Sequence, residues 1–244
     1  MLEKIKENDY NFYLKSGRAL ESINNIKIME LYEKDMRYGD NYLPFGYMRY
    51  SDGDIILRFL PELKDFALEF INKPDDLFSE DAIYYINRNI ADCMKREYNL
   101  APDTNKYNAG FGYGTSDKDK LNLGRKQGTT IKFHETCEYE IIEKYVFVDR
   151  NVPGVFFGTL IGDRIVSVAK RKNVHEIGIG THEDYRGRGY AVSNVVAMAE
   201  YILDKGQYVY YETNNLNIGS RRTAEAAGLS EIYREQFFWF RNTA

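Results

Sequence analysis

Residues 178–191, GIGTHEDYRGRGYA, join a β-like run to a helix-like pattern through a turn that has more glycine than a short connection needs. Before the turn, VHEIGIGT predicts a β-strand, and from Gly189 onward apolar residues recur at helical spacing. Where a strand runs directly into a helix, the first N–H groups of the helix have no partner inside it. Glycines at 187 and 189 would let a ligand approach those groups without a Cβ in the way.

The turn therefore predicts an anion-binding site, with a diphosphate as a suitable ligand. Unpaired amides and the helix dipole both favour negative charge at a helix N-terminus. Arg186 and Arg188 would add positive charge beside it. An ordinary glycine-rich turn with solvated arginines explains the same residues, so the turn by itself leaves both interpretations open.

The segments around the turn predict an order of strand, strand, strand, helix, strand, helix, strand. VPGVFFGTL and RIVSVAK flank Gly162-Asp163, which predicts a hairpin. The helix that follows the glycine turn would end at Gly206. YVYYET predicts the next strand, and NIGSRRTAEAAG predicts a second helix with Asn217 as its N-cap and Gly228 at its end. EIYREQFFWF predicts one or two final strands.

The first half of the chain predicts a separate α/β region. YMRYSDGDIILRF predicts a hairpin around Asp52-Gly53, and SEDAIYYINRNIADCMKREYN predicts a helix capped by Ser79. Residues 100–128 lose all periodicity, which indicates a linker or a long functional loop. We therefore predict two domains, 1–125 and 126–244. The first domain would either shape a substrate site or only cover one side of a sheet.

Composition and charge exclude several classes of protein. Acidic residues (37) outnumber basic ones (33), which argues against a general affinity for nucleic acid or anionic membranes. Cys93, Cys137 and the three histidines show no metal-ligand spacing, so no metal site is predicted and both thiols are expected to be buried and structural. The start MLEKIKENDY lacks the apolar core of a signal peptide, and no apolar run is long enough to span a bilayer. The expectation is a soluble, cytoplasmic protein.

The turn and its context resemble the GNAT superfamily of acyl-CoA-dependent N-acetyltransferases. The signature of that family is Arg or Gln, two residues, Gly, one residue, then Gly or Ala, and residues 186–191 read RGRGYA between a strand and a helix. A second family segment has Asn after the next strand and a helix that closes on a Gly-Phe-like pair. The residues that match it are Asn217, Ser220, Ala224, Gly228 and Leu229. The resemblance covers about residues 130–244, and more narrowly it is similar to a bacterial branch that includes zwittermicin-type antibiotic-resistance acetyltransferases.

The resemblance implies an α+β fold with a GNAT-type central mixed β-sheet flanked by helices, and with an N-terminal α/β extension or second small domain. It implies acetyl-CoA as co-substrate, with the coenzyme pyrophosphate on the backbone amides of the turn. The coenzyme-binding residues so implied are Tyr185, Arg186, Gly187, Arg188, Gly189, Tyr190 and Ala191 in the turn, Ile179, Gly180 and Thr181 along the pantetheine arm, and Asn217 and Ser220 near the thioester. A helix-capping role explains Asn217 equally well.

The implied reaction is direct attack of a primary amine on the acetyl thioester. A protonated amine is no nucleophile, so a base must remove its proton. Glu176 is the first candidate, because it lies on the strand before the turn, where the resemblance implies a carboxylate. Alternation along that strand puts it on the same face as Gly178 and Gly180. Glu212 on the following strand is the second candidate. Either carboxylate could instead be an ordinary surface or salt-bridge residue.

One departure from the family pattern concerns the proton for the leaving thiolate. Many members carry a Tyr four residues before the terminal Gly of the second helix, and this chain has Ala224 there. Water or another hydroxyl, with Tyr233 as a distant candidate, would have to replace it, or the thiolate would leave unassisted.

Three functions are compatible with these residues. The first is an N-acetyltransferase that acts on a small-molecule amine, such as an antibiotic or a metabolite. The second is a non-catalytic acyl-CoA sensor, and the third is an acyltransferase for protein or peptide amines. The expected partners are acetyl-CoA and a small amine, with no nucleic acid and no membrane. A homodimer is compatible with the sequence.

Overall fold

The computed structural model describes residues 1–15, 17–20, 22–32, 36–38, 40–72, 77–104, 106, 108–134, 140–141, 154–171 and 176–243. The elements in chain order are α1 (Leu2–Leu14), β1 (Gly17–Ala19), β2 (Ile26–Leu31), β3 (Arg37–Tyr38), β4 (Asn41–Tyr50), β5 (Ile55–Phe59), α2 (Lys64–Phe70), α3 (Glu80–Tyr98), β6 (Leu100–Pro102), β7 (Ala109–Thr115), β8 (Thr130–His134), β9 (Glu140–Ile141), β10 (Val155–Ile161), β11 (Arg164–Arg171), β12 (Ile177–Thr181), α4 (Tyr190–Leu203), β13 (Val209–Asn214), α5 (Ile218–Ala226) and β14 (Ser230–Asn242).

The chain divides into two compact units, and each unit is built from more than one segment of the sequence. The N-terminal unit holds residues 2–110, 214–216 and the last segment from Tyr233 onward. The C-terminal unit holds residues 111–213 and 217–232. Strands β7 and β14 therefore each contribute residues to both units. The domain boundary predicted after residue 125 stays a prediction.

The N-terminal unit is a mixed sheet with helices packed on it. Its strands follow the order β1-β2-β5-β4-β14, with β2 and β5 parallel and the pairs β1–β2, β5–β4 and β4–β14 antiparallel. Alternate residues of β4 and β14 face α2 and α3 in one core, where the rings of Phe45 and Phe238 meet edge to face with centroids 5.7 Å apart. The hairpin at Asp52-Gly53 is confirmed, with φ +94° at Gly53.

Local signals set the ends of the longest helix. Helix α3 begins where the Ser79 hydroxyl accepts the N–H of Ala82, as predicted. It ends at Asn99, which takes the left-handed conformation that closes many helices. Its buried positions are Ala82, Ile86, Ile90, Cys93 and Met94, at the helical spacing expected of one packed face.

The C-terminal unit contains a second sheet, with antiparallel order β12-β11-β10-β8. The predicted hairpin around Gly162 is confirmed. The two helices predicted to end near Gly206 and Gly228 are confirmed as well. All three glycines have positive φ. Helix α4 packs on β10, β11 and β12 through a continuous buried face. β7 and β13 are neighbours in the strand order β14-β7-β13. The predicted α+β class, with a mixed sheet flanked by helices and an N-terminal α/β extension, is confirmed.

One sequence prediction in this region is wrong. Residues 100–128 contain the strands β6 and β7 and two short 3₁₀ turns, Lys118–Lys120 and Leu123–Arg125, and are not an aperiodic linker. Glycine is rare in strands, and β7 alternates Gly with aromatic residues, which hid the pattern.

The final strand β14 is one continuous strand. None of the helices in the described part of the chain has the length and apolar character needed to span a bilayer.

Candidate functional site

The glycine turn links β12 to α4 through two positive-φ residues. After β12, His182 caps a short 3₁₀ turn, Glu183–Tyr185, by accepting the N–H of Asp184 on Nδ1 at 3.2 Å. Gly187 then has φ +76° and Gly189 has φ +81°. Residues with a Cβ rarely adopt positive φ, so the path of the backbone requires glycine at both positions.

Among the described residues, the first backbone N–H groups of α4 have no partner. Gly189 is the N-cap and has no side chain with which to cap the helix. Most N-caps are Ser, Thr, Asp or Asn, whose oxygens satisfy the first amides. A Cβ built at Gly187 would meet nothing within 4 Å, so the backbone is open there. Together with the helix dipole, these amides can accept an anion.

The two arginines of the turn also hold its shape. Arg186 Nε donates to the carbonyl oxygen of Thr181 at 3.2 Å, and Arg188 Nη2 donates to that of Asp184 at 3.1 Å. The Arg188 guanidinium also lies 5.3 Å from the centroid of the Tyr185 ring. The sequence predicts only added positive charge from these residues, whereas the structure gives them a bracing role as well.

A gap opens between β12 and β13 next to this turn. The two strands run parallel and meet at a single isolated bridge, Glu176 with Tyr210. In the strand order of the described residues, β12 lies at the end of one sheet and β13 at the end of the other. Beyond the bridge, the facing edges of the two strands do not form a ladder with each other. Unpaired strand edges can accept an extended ligand.

Alternation along β12 shows which backbone groups face this gap. The N–H of His182 donates to Val166 O on β11 at 2.9 Å. Because successive residues of a strand point their N–H and C=O groups to opposite edges, those of Ile179 and Thr181 face the gap. The bond from Arg186 to Thr181 O agrees with this. The same alternation turns the backbone groups of Gly180 toward β11.

The two candidate carboxylates lie on one face of the sheet. Ile177 is buried, and Thr181 Oγ1 lies 2.7 Å from Ser167 Oγ, on the face that packs against α4. Glu176 therefore faces the opposite side, together with Gly178 and Gly180, which leave that side bare. The bridge puts Tyr210 on the same face as Glu176, and alternation adds Glu212. Glu176 is half-buried and Glu212 is exposed.

The other face of β13 meets the start of α5 through hydroxyl groups. Tyr211 OH lies 2.7 Å from Ser220 Oγ, and burial raises the pKa of Tyr211 to about 12. Asn217 Oδ1 accepts the N–H of Ser220 at 3.0 Å, so Asn217 caps α5. Ala224, one turn further on, is fully buried and offers no proton donor.

Thr213, on β13, has a buried hydroxyl oxygen that is unsatisfied among the described residues. It follows the bridge residue Tyr210 by three positions on β13. A buried hydroxyl without a partner costs about 1–3 kcal/mol. No local signal in the sequence points to this residue.

A polar cluster under the turn, formed by Thr130, Thr159, Ser167 and Asn194, could not be predicted from the sequence either. Asn194 lies fully buried on the apolar face of α4. Its Nδ2 donates to Ser167 O and to Ser167 Oγ at 3.0 Å, and its Oδ1 accepts the hydroxyls of Thr130 and Thr159 at 3.2 Å. One side chain thereby ties the second turn of α4 to β8, β10 and β11. Helical periodicity places Asn194 on the buried face but does not reveal its partners.

The remaining predicted residues have simple positions. Tyr190 and Ala191 are the first two residues of α4, and both are half-buried. Tyr233 is buried in the N-terminal unit, where its ring packs edge-on against Tyr50 at 6.1 Å. Cys93 is buried as expected, and burial raises the pKa of its thiol. Cys137 lies outside the described residues. Within those residues, no cluster of His, Cys, Asp or Glu is arranged to hold a metal ion.

Comparison with known proteins gives likenesses of fold at low identity. No protein-family model matches this sequence, and no curated protein matches it. A GCN5-related N-acetyltransferase from Kribbella flavida is 9% identical over 100% of this chain and 96% of its own, with a TM-score of 0.45. An acetyltransferase from the GNAT family of Colwellia psychrerythraea is 11% identical over 99% and 97%, with a TM-score of 0.40. A GCN5-related N-acetyltransferase-like protein from Streptococcus suis is 17% identical over 65% and 76%, with a TM-score of 0.38. Because these identities and TM-scores are low, the residues described above carry the proposal that follows.

Proposed function

We propose that this protein is an acetyl-CoA-dependent N-acetyltransferase that acts on a primary amine of a small molecule. The observation that carries the proposal is the gap between β12 and β13, which leads to the unpaired amides at the start of α4. An elongated ligand with an anionic group partway along it would satisfy both features. The orphan hydroxyl of Thr213 is a third feature that calls for a ligand.

The residues present fit coenzyme A. Its diphosphate suits the amides at the turn 185–191, where both Gly187 and Gly189 have positive φ and Gly187 leaves the backbone bare. Its pantetheine arm carries amide groups that can pair with a strand edge, and the backbone groups of Ile179 and Thr181 face the gap. When bound, acetyl-CoA supplies an activated acetyl group as a thioester.

The protein's own groups would support amine attack as follows. Glu176, with Glu212 as the alternative, takes a proton from the ammonium before the nitrogen attacks, directly or through water. The N–H of Ile179 faces the gap and can stabilise the oxyanion that forms when nitrogen adds to the thioester carbonyl. The C–S bond then breaks, and the sulfur leaves as a thiolate. The amine nitrogen loses its remaining extra proton to solvent, or to the carboxylate once that group has released its first proton to solvent.

In this proposal, the Tyr211–Ser220 pair takes the place of the tyrosine that many GNAT enzymes carry at the position of Ala224. Burial raises the pKa of Tyr211 to about 12, so its hydroxyl stays protonated at neutral pH. Through Ser220, which lies in the first turn of α5, the pair can donate a hydrogen bond to the leaving sulfur. A thiol has a reference pKa of about 8.5, so a hydrogen bond can assist its departure without full proton transfer.

A titration and a thiol assay test this function. We expect coenzyme A to bind the purified protein by calorimetry, and acetyl-CoA to release free thiol with at least one member of a broad amine panel. Aminated antibiotics belong in that panel, since residues 181–191 and 217–229 resemble the zwittermicin-type branch. No heat and no thermal shift with coenzyme A would overturn the proposal.

We also propose that residues 1–125 shape the amine site, in a cytoplasmic protein that could form a homodimer.

One observation favours a second function, a non-catalytic acyl-CoA sensor. Ala224 stands where many GNAT enzymes carry the tyrosine that protonates the thiolate. Tight binding of acetyl-CoA without thiol release across the panel would support the sensor. Acetylation of protein lysines, with no transfer to small amines, would support a protein acyltransferase instead.

A further inference from the structure

We propose that Gln127 is a positioning residue for the diphosphate-binding turn, an inference that rests on the proposed function. Gln127 precedes β8 and contacts Arg188, just before Gly189 in the sequence, and Ser193, four residues after it. Its Nε2 donates to the carbonyl oxygen of Arg188 at 3.1 Å, and its backbone N–H donates to Ser193 Oγ at 2.8 Å. It thus joins the turn to the first turn of α4 from a segment about 60 residues earlier in the chain.

The bond to Arg188 fixes the direction in which the Gly189 amide points. The carbonyl of residue 188 and the N–H of residue 189 belong to one planar peptide group, and none of the described peptide bonds is cis. In a trans peptide the two groups point in opposite directions. With the oxygen held by Gln127, the N–H of Gly189 is turned to the opposite face of the turn, where it can meet an anion. Without that bond the peptide group could rotate, and an oxygen could then face the anion.

Gly189 has a second constraint that Gly187 lacks. A Cβ at Gly189 would lie 3.0 Å from Gln127 Nε2, whereas a Cβ at Gly187 would meet nothing within 4 Å. The amide of Gln127 therefore fills the space beside Gly189 on the side away from its N–H. The side chain both orients the peptide and closes that side of the turn.

Gln127 is itself held in place by the polar cluster under the turn. Its carbonyl oxygen accepts the N–H of Thr130 at 3.0 Å. Thr130 Oγ1 lies 2.5 Å from Ser193 Oγ, the same atom that accepts the Gln127 N–H. The Gln127 backbone is thus fixed by β8 on one side and by α4 on the other. A side chain on such a fixed support holds its hydrogen bond at little entropic cost.

The test compares two ligands that differ in the diphosphate. Calorimetry measures the affinity of wild-type protein, Gln127→Met and Lys126→Met for coenzyme A and for pantetheine, which lacks the diphosphate and nucleotide. Gln127→Met keeps the length of the side chain but removes the donor. Lys126→Met is the matched control, because Lys126 is the exposed neighbour of Gln127 in the sequence and pairs with half-buried Glu200 instead of with the turn.

We expect Gln127→Met to weaken coenzyme A about 3- to 10-fold, as the loss of one hydrogen bond predicts, and to leave pantetheine affinity unchanged. Lys126→Met should change neither. Equal losses for both ligands, or no loss, would overturn the role of Gln127 while leaving the proposed function standing. Wild-type protein that binds neither ligand would overturn both.

A measurement without ligand guards against a variant that folds poorly. The amide resonance of Gly189 in an ¹H–¹⁵N spectrum should shift in both Gln127→Met and Gln127→Glu, since both remove the donor to Arg188 O. In Lys126→Met it should stay in place. A Gly189 resonance that does not move in either folded Gln127 variant would count against the orientation argued here.

Discussion

Two glycine-rich stretches of this chain use glycine for different physical reasons. In the turn, Gly187 and Gly189 have positive φ, and a Cβ at Gly187 would enter open space. In β7, a Cβ at Gly114 would run into the carbonyl oxygen of Val209 and lie 2.6 Å from Ile232 Cδ1. Positive φ is a requirement of the residue's own backbone, whereas close approach is a requirement of its neighbours. The first leaves room for a ligand, and the second leaves none.

The largest effect should come from a substitution in β7. Gly114→Ala forces a Cβ against the Val209 carbonyl, which is backbone and cannot move aside cheaply. We expect the free energy of unfolding to fall by about 3 kcal/mol or more, at the upper end of what overpacking costs. Denaturant titration followed by circular dichroism measures this loss.

Gly128→Ala is the matched control for this prediction. A Cβ there would meet nothing within 4 Å, and its φ lies outside the range that favours glycine. Its stability should be unchanged or slightly higher, because alanine restricts the unfolded chain. If Gly114→Ala loses less than about 1 kcal/mol, the close approach between β7 and β13 is not a packing constraint.

This difference also explains how much of the fold could be predicted from the sequence. Ser79, Gly206 and Gly228 mark helix ends by local chemistry, and the predictions made from them are confirmed. The strand β7 was missed because the reason for Gly114 lies on Val209, nearly one hundred residues away in sequence. A single sequence shows the glycine but not the backbone that approaches it.

The candidate site divides in the same way. The turn 185–191 could be predicted, because the need for bare backbone before a helix is local. Gln127 could not, because its role depends on a bond to Arg188 that only the tertiary fold creates. Thr213 could not either, since an unsatisfied hydroxyl is defined by the partners that the fold fails to provide. Glu176 was chosen for its place on the strand before the turn and Glu212 for its place on the following strand, and their part in catalysis stays a prediction.

The next effect in size should come from the turn itself. Gly189→Val places a β-branched side chain at φ +81° and next to Gln127 Nε2. We expect coenzyme A to bind at least about tenfold more weakly, since backbone strain of about 1–3 kcal/mol must be relieved by moving the amides that hold the diphosphate. Calorimetry on protein with native circular dichroism measures the loss.

Gly187→Val sharpens this prediction, because it introduces the strain at φ +76° without a contact to Gln127. It should weaken coenzyme A less than Gly189→Val does. A folded Gly189→Val protein with wild-type affinity would show that the diphosphate does not bind at this turn.

The smallest effect extends the comparison from glycines to hydroxyls. Thr213 Oγ1 is buried and has no partner in the part of the chain that the structure describes, whereas Thr159 Oγ1 donates to Asn194 Oδ1 at 3.2 Å. Replacing each by the isosteric valine should therefore change stability in opposite directions. Without ligand, Thr213→Val should gain about 1 kcal/mol in the free energy of unfolding, because an unsatisfied hydroxyl is removed, and Thr159→Val should lose about as much. If a ligand in the gap satisfies Thr213, coenzyme A should bind Thr213→Val more weakly than wild type. Thr213→Val that loses stability without ligand would mean that the protein, and not a ligand, satisfies this hydroxyl.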